Sequence, residues 1–145
     1  MRTDQIHASA VAVDGQGCLI LGAPGAGKSG LALQLIALGA ELIADDRVDL
    51  VVEKGGLFLS SPPGIRDLIE ARGIGLIKVC ANPEPVLCKV VVDLDQSTER
   101  LPSLRMRDLL GISCPVILGK TAPNLASAVI VLLRSGKLRD PDHGV

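Results

Sequence analysis

The sequence predicts an α/β fold, a single domain built on a mixed β-sheet flanked by helices. Three observations predict it: short apolar runs of strand length, two stretches with helical spacing, and turns rich in glycine or proline between them. A chain of 145 residues fits one domain. At that size folding buries about 70% of the surface of the unfolded chain, enough for a self-supporting core. No repeat, low-complexity segment or linker divides it.

Residues Ser9 to Val13 and Cys18 to Leu21 are apolar runs separated by Asp14-Gly15, a favoured hairpin dipeptide. The second run leads into a glycine-rich loop, Gly22 to Gly27. Leu31, Leu35 and Leu38, with Ala32 and Ile36 beside them, mark one apolar helix face, and Gly39 stands where helices commonly end. Glu41 to Ala44 reads as the next strand, ending at Asp45-Asp46. Val48 to Val52 and Leu57 to Leu59 flank Lys54-Gly55-Gly56 and predict a second hairpin. Pro62-Pro63-Gly64 breaks the chain into a loop. Ile74 to Val79 and Val86 to Leu94 are further strands, parted by a turn containing Asn82, Pro83 and Pro85. The polar stretch Arg100 to Gly111 reads as a loop plus a short helix. Ile112 to Leu118 reads as a strand, with Pro115 making it an edge or irregular. A last helix starts near Asn124 and runs to Leu133, with Thr121 as cap, Pro123 near the first turn and Gly136 after its end. The domain thus spans residues 1–138, and Arg139 to Val145 is expected to be a flexible tail.

Composition excludes several function classes. The hydrophobic fraction of 48% is carried by aliphatic residues, since Trp and Tyr are absent and Phe58 stands alone. Bases and single-stranded nucleic acid therefore cannot be held by aromatic stacking. With a net charge of -1 and scattered Lys and Arg, no nucleic-acid partner is expected. The start MRTDQIHAS lacks the build of a signal peptide, and no stretch reaches the roughly 18 apolar residues of a membrane helix. A soluble, cytoplasmic protein without membrane contact is the expectation. Cys18, Cys80, Cys88 and Cys114 show no CxxC spacing and read as reduced, mostly buried small hydrophobes. A mean hydropathy of +0.41 is high for a lone small domain and points to self-association.

Gly22-Ala23-Pro24-Gly25-Ala26-Gly27-Lys28-Ser29 matches G-x-x-x-x-G-K-[ST] at every fixed position, between an apolar strand and an amphipathic helix. Glycines let successive N–H groups aim into one concavity, and the helix N-terminus adds partial positive charge facing a phosphate. Lys28 supplies a cation between β- and γ-phosphates, and Ser29 offers a hydroxyl to Mg²⁺. The expected ligand of this P-loop (Walker A) is ATP with Mg²⁺. One helix later, Asp45 and Asp46 stand at the carboxyl end of a strand that a right-handed crossover lays in the same sheet. Side chains alternate along a strand, so these neighbours point apart. One acts as base on an incoming hydroxyl and the other has a supporting role. Residues alone thus predict phosphoryl transfer.

His7, the P-loop and Leu42-Ile43-Ala44-Asp45-Asp46 together resemble the HPr kinase/phosphorylase family, which joins H-G-x-x-V, G-x-x-G-x-G-K-S and L-V-A-D-D in this order. The family's second signature, close to L-E-I-R-G-x-G-I-I-x-V, is met by Leu68 to Val79. The resemblance runs from about Ile6 to about Leu133 and implies the HPr kinase/PEP carboxykinase-like form of the fold. It further implies an ATP-dependent serine kinase acting on an HPr-type phosphocarrier of the sugar phosphotransferase system, with a regulatory role in carbon or nitrogen metabolism. By position Asp46 matches the general base, Ser29 and Glu70 the magnesium ligands, and His7, Lys28 and Arg100 further active-site residues. The family's hexamers imply a homo-oligomer. The chain starts close to His7, as in short forms lacking the N-terminal domain.

Departures accompany the match. Ala23 and Gly30 replace acidic residues of the family loop, and the family's P-V-R-P-G-R-N segment reads Pro115 to Lys120 without its arginines. Phosphorylation is therefore expected more than phosphorolysis. Two alternatives stand beside the protein kinase. A small-molecule P-loop kinase would use Arg100 to Arg107 as its arginine lid, and a nucleotide-dependent binding module would transfer nothing.

Overall fold

A computed structural model describes residues 2–64 and 67–141. Strands β1 (Arg2–His7), β2 (Ser9–Val13) and β3 (Gln16–Leu21) precede helix α1 (Lys28–Ala37). Then come β4 (Glu41–Ala44), β5 (Arg47–Glu53), β6 (Gly56–Ser60), β7 (Leu68–Ala71), β8 (Gly75–Lys78) and β9 (Val86–Asp93). Strands β10 (Arg105–Leu109) and β11 (Ile112–Leu118) and helix α2 (Leu125–Arg134) complete the chain. The predicted α/β class with a mixed sheet is what forms. Both helices flank the sheet on one face.

Among the described residues nine strands make one sheet, in the order β1-β5-β6-β9-β3-β2-β4, with β11 joined to β9 and β10 to β11. β3 and β9 are parallel, while β2 is antiparallel to both β3 and β4. Consequently β3 and β4 point the same way with β2 between them. The β2–β3 turn forms at Asp14-Gly15, whose φ values of 51° and 75° match the doubly left-handed turn that tight hairpins favour.

Side-chain alternation divides the interior into two cores. Val11, Val13, Cys18, Ile20, Val90 and Val92 face α1 and α2. Their neighbours Ala10, Ala12, Leu19 and Val91 face Val48, Leu50, Leu57 and Leu59, because β5 and β6 curl over the opposite face. Central strands buried on both sides read as continuous apolar runs, which is why β2 and β3 show no alternation. Much of the high mean hydropathy is absorbed here. Among the described residues no helix is long and apolar enough to cross a membrane.

Several expectations need correction. The segment Arg100 to Gly111 holds no helix; its second half is β10, paired antiparallel to β11 through a turn in which Asp108 Oδ1 accepts the Gly111 N–H at 2.9 Å. β1 and β10 were invisible to hydropathy because charged, exposed side chains line these edges, a pattern that blunts edge pairing. β7, too, goes unread from sequence, since only Ile69 and Ala71 of its residues are buried. Pro115 lies inside β11 at a point where β10 is its partner, and pairing to β9 begins only at Val116, so the missing N–H is tolerated. Thr121 is not the cap of α2; Asn124 is, with φ 56° and no side-chain cap bond. Lys89 Nζ donates instead to the carbonyls of Leu132 and Gly136 at that helix's other end, at 2.7 and 3.0 Å. Cys18 and Cys114 are buried and Cys88 half-buried, but Cys80 is exposed. Residues 139–141 lie in no helix or strand, and 142–145 of the expected tail lie outside the described residues.

Leu35 is fully buried between α1 and the sheet. Leu35→Ala should cost about 2–5 kcal/mol in urea unfolding, whereas Leu76→Ala at an exposed position should stay within about 0.5 kcal/mol. Equal effects would show that the helix-side core is misassigned. Burial pushes the Cys18 thiol up to about 12. At about pH 8 an alkylating reagent should therefore modify Cys80 in the folded chain and Cys18 only after unfolding, read by mass spectrometry.

Candidate active site

Chain direction builds the site. Because β3 and β4 run the same way, the glycine-rich loop after β3 and Asp45 after β4 leave the sheet at one edge. β9 is parallel to β3, and its end joins them: Leu21 pairs with Asp93, and the Leu94 N–H donates to the Leu21 carbonyl at 2.9 Å. Ligands of α/β sheets collect outside such carboxyl ends.

The loop spans Gly22 to Gly27 and turns directly into α1. Gly27 caps that helix with φ 104°, a conformation that strains any residue with a Cβ. The first N–H groups of α1 have no intrahelical acceptor and open toward the loop's hollow, with the positive end of the helix dipole behind them. Lys28 Nζ folds back to the carbonyls of Gly22 at 2.7 Å and Ala23 at 3.2 Å. A cleft of about 370 Å³ lies against the loop, lined by Ala23 to Ala26, Leu94, Asp95 and Lys120. A larger hollow of about 520 Å³ opens between α1 and the start of α2, and none of its lining residues ionises.

Asp45 gathers the predicted residues. Its Oδ1 accepts the Ser29 hydroxyl at 2.8 Å and the hydroxyl of buried Ser9 at 2.7 Å. Its Oδ2 faces the Glu70 backbone N–H at 3.3 Å. Ser29 and Glu70 are thereby brought to one carboxylate from α1 and β7. Glu70 arrives through its backbone N–H, and the side-chain atoms that meet directly are oxygens: the Ser9 and Ser29 hydroxyls on the Asp45 carboxylate. That chemistry suits a hard cation such as Mg²⁺.

Asp46 points elsewhere, because the chain turns between β4 and β5 at these two residues. Its side chain is 79% exposed, and Oδ1 lies 3.9 Å from His7 Nδ1, itself 69% exposed. The backbone of Asp46 has φ 76°, uncommon for a residue other than glycine, and its carbonyl accepts the Ala8 N–H at 3.1 Å. Strain of this kind concentrates at functional positions. Arg100 is exposed in the segment after β9 and lies outside the contacts that gather the others. Arg107 is the arginine drawn in, with Nη1 3.5 Å from Asp93 Oδ2.

Sequence reasoning gave Asp45 only a supporting role and missed Ser9, Asp93 and Asp95. A hydroxyl two residues after His7 carries no signal until pairing sets β2 against β4. Asp93 and Asp95 close an apolar strand, which was a usable signal: acids at a strand's carboxyl end beside the loop. Ser9→Ala removes one of the two hydroxyls on Asp45 and should cost about 1 kcal/mol in urea unfolding, with the fold kept. An unchanged midpoint would show that Ser9 does not support Asp45.

Comparison with known proteins identifies the family. Residues 1–82 match the family model of the HPr serine kinase C-terminal domain. HPr kinase/phosphorylase from Cupriavidus necator is 36% identical over 92% of this chain, a stretch that makes up 46% of that protein. The corresponding protein of Lactobacillus acidophilus is 44% identical over 54% of the chain and 24% of its own length. The chain thus spans less than half the length of these relatives. A solved structure of the Hpr(Ser) kinase/phosphatase from Coxiella burnetii superposes with a TM-score of 0.75 at 30% identity, covering 90% of this chain and 94% of that one. The family match extends over more than half of the 145 residues, and the chain belongs to the HPr serine kinase C-terminal domain family.

Proposed function

We propose that this chain is an ATP-dependent serine kinase whose substrate is an HPr-type phosphocarrier protein. The observation that carries the reading is the convergence of Ser29 and Glu70 on Asp45 at the foot of a P-loop, with Asp46 and His7 standing open beside it. Family membership supports the same reading.

The loop N–H groups and Lys28 hold the phosphates. To do so, Lys28 exchanges the carbonyls of Gly22 and Ala23 for phosphate oxygens. Ser29 and Glu70 would hold Mg²⁺, with Asp45 fixing the Ser29 hydroxyl from behind. The metal, when bound, neutralises charge developing on the transferred group. Asp46 takes the proton of the incoming seryl hydroxyl, whose oxygen forms a bond to the γ-phosphorus as the bond to the β–γ bridging oxygen breaks. ADP leaves with that electron pair. His7, near the same carboxylate, steadies it or passes the proton on.

High exposure of Asp46 and His7 suits a hydroxyl carried on a macromolecule better than one that must be enclosed. The small-molecule kinase reading loses much of its lid, since Arg105 and Arg107 lie in β10 and Arg107 is paired with Asp93. Assembly into an oligomer remains part of the proposal that family resemblance supports.

Incubation with Mg²⁺, γ-labelled ATP and purified HPr-type carriers should place acid-stable label on a carrier serine. Bound ATP with no label on any carrier would overturn the reading. Asp46→Asn should lower transfer by about 10²–10⁴-fold while ATP binding stays within a few-fold, because the base is lost and the phosphate cradle is not. Unchanged turnover would remove Asp46 from the role.

A further inference from the structure

We propose that Asp95 is a positioning residue that fixes the entry of the phosphate loop, and that buried Asp93 in turn fixes Asp95. The inference rests on reading Gly22 to Ser29 as the ATP site.

Ala23 is the peptide on which the loop's internal bonds meet. Its carbonyl accepts the Ala26 N–H at 2.9 Å and the Lys28 ammonium at 3.2 Å. Its own N–H points out of the loop to both carboxylate oxygens of Asp95, each at 3.0 Å. A hydrogen bond to a carboxylate is about twice as strong as a neutral one. Holding Ala23 therefore holds the curl of the loop and the anchor of Lys28 together. An acid beside a site for a polyanion is otherwise adverse, since its charge opposes that of the phosphates.

Asp95 is exposed and would not hold its place unaided. Asp93 supplies the support from the interior, being only 4% exposed. Its Oδ1 accepts the Asp95 N–H at 2.8 Å, and its Oδ2 accepts Gln96 Nε2 at 2.9 Å, with Arg107 on the same oxygen. The chain after β11 adds two more bonds, Gly119 N–H to the Asp93 carbonyl and Lys120 N–H to the Gln96 carbonyl, both at 2.9 Å. Asp93 and Ser9 are the two buried polar side chains among the described residues. They stand on either side of the loop. Ser9 supports Asp45, which takes Ser29 where the loop ends; Asp93 supports Asp95, which takes Ala23 where the loop begins.

The test compares the unmodified chain with Asp95→Ala and Asp95→Asn by three readouts: amide exchange at Ala23 and Ala26 in the nucleotide-free state, titration with a ribose-labelled fluorescent ATP, and thermal melting. Asp95→Ala should speed exchange at both amides and weaken ATP about tenfold, with the melting temperature little changed. Asp95→Asn keeps an acceptor without the charge and should stay within about threefold of the unmodified chain. Unaltered ATP affinity in Asp95→Ala, beside normal binding by the unmodified chain, overturns the positioning role alone. Tighter binding by both variants also overturns it, since Asp95 would then act only as a repelling charge. Failure of the unmodified chain to bind ATP overturns the ATP site and this role with it.

Discussion

The site depends on a carboxylate that must be satisfied where it emerges. Asp45 leaves β4 half-buried, and a carboxylate in that position without donors would cost on the order of a few kcal/mol. Ser9 and Ser29 supply hydroxyls from two different elements, and Glu70 turns a backbone N–H toward the remaining oxygen. The same demand that stabilises Asp45 aligns the helix carrying Ser29 with the strand carrying Glu70. All of this requires β3 and β4 to run in one direction, which β2 secures by lying antiparallel between them.

β9 performs the matching task on the loop's other side. Its first residues pair with β6 and its last with β11, while β3 accompanies it along almost its whole length. β6 is thereby freed to curl with β5 over the second core, and β11 enters beside the end of β9, close to the loop. The carboxyl end of β9 then gathers Asp93, Asp95, Gln96 and Arg107 within hydrogen-bonding or ion-pair reach of one another or of the loop. One central strand thus ties the apolar interior to the polar edge.

What the sequence disclosed follows from this division. β2 and β3 are apolar after their first residues, β5 and β6 alternate about a glycine turn with local chemistry, and β4, β9 and β11 are mostly apolar runs, so these strands and both helices could be read directly. The P-loop was legible because its geometry needs particular residues at fixed spacing. β1, β7 and β10 were not, since each is a strand through the backbone partners it finds rather than through its own side chains. The same holds at the site. Asp46 and Glu70 could be named by resemblance, but the convergence of Ser9, Ser29 and Glu70 on Asp45 is a product of topology, with sequence separations of 36, 16 and 25 residues. Arg100 was chosen over Arg105 and Arg107 by alignment alone, and the fold draws Arg107 inward.

Two adjacent acids have different fates because the backbone turns between them. Asp45 directly follows β4 and accepts the Ser29 hydroxyl; Asp46 takes a left-handed conformation that the Ala8 N–H holds in place, and β5 begins at the next residue. The turn prevents the two carboxylates from sharing one environment, so each has its own partners. Asp45 is committed to accepting hydrogen bonds from its neighbours. Asp46 keeps its oxygens toward solvent with His7 close by, which is the condition that the proposed role of base toward a protein hydroxyl requires.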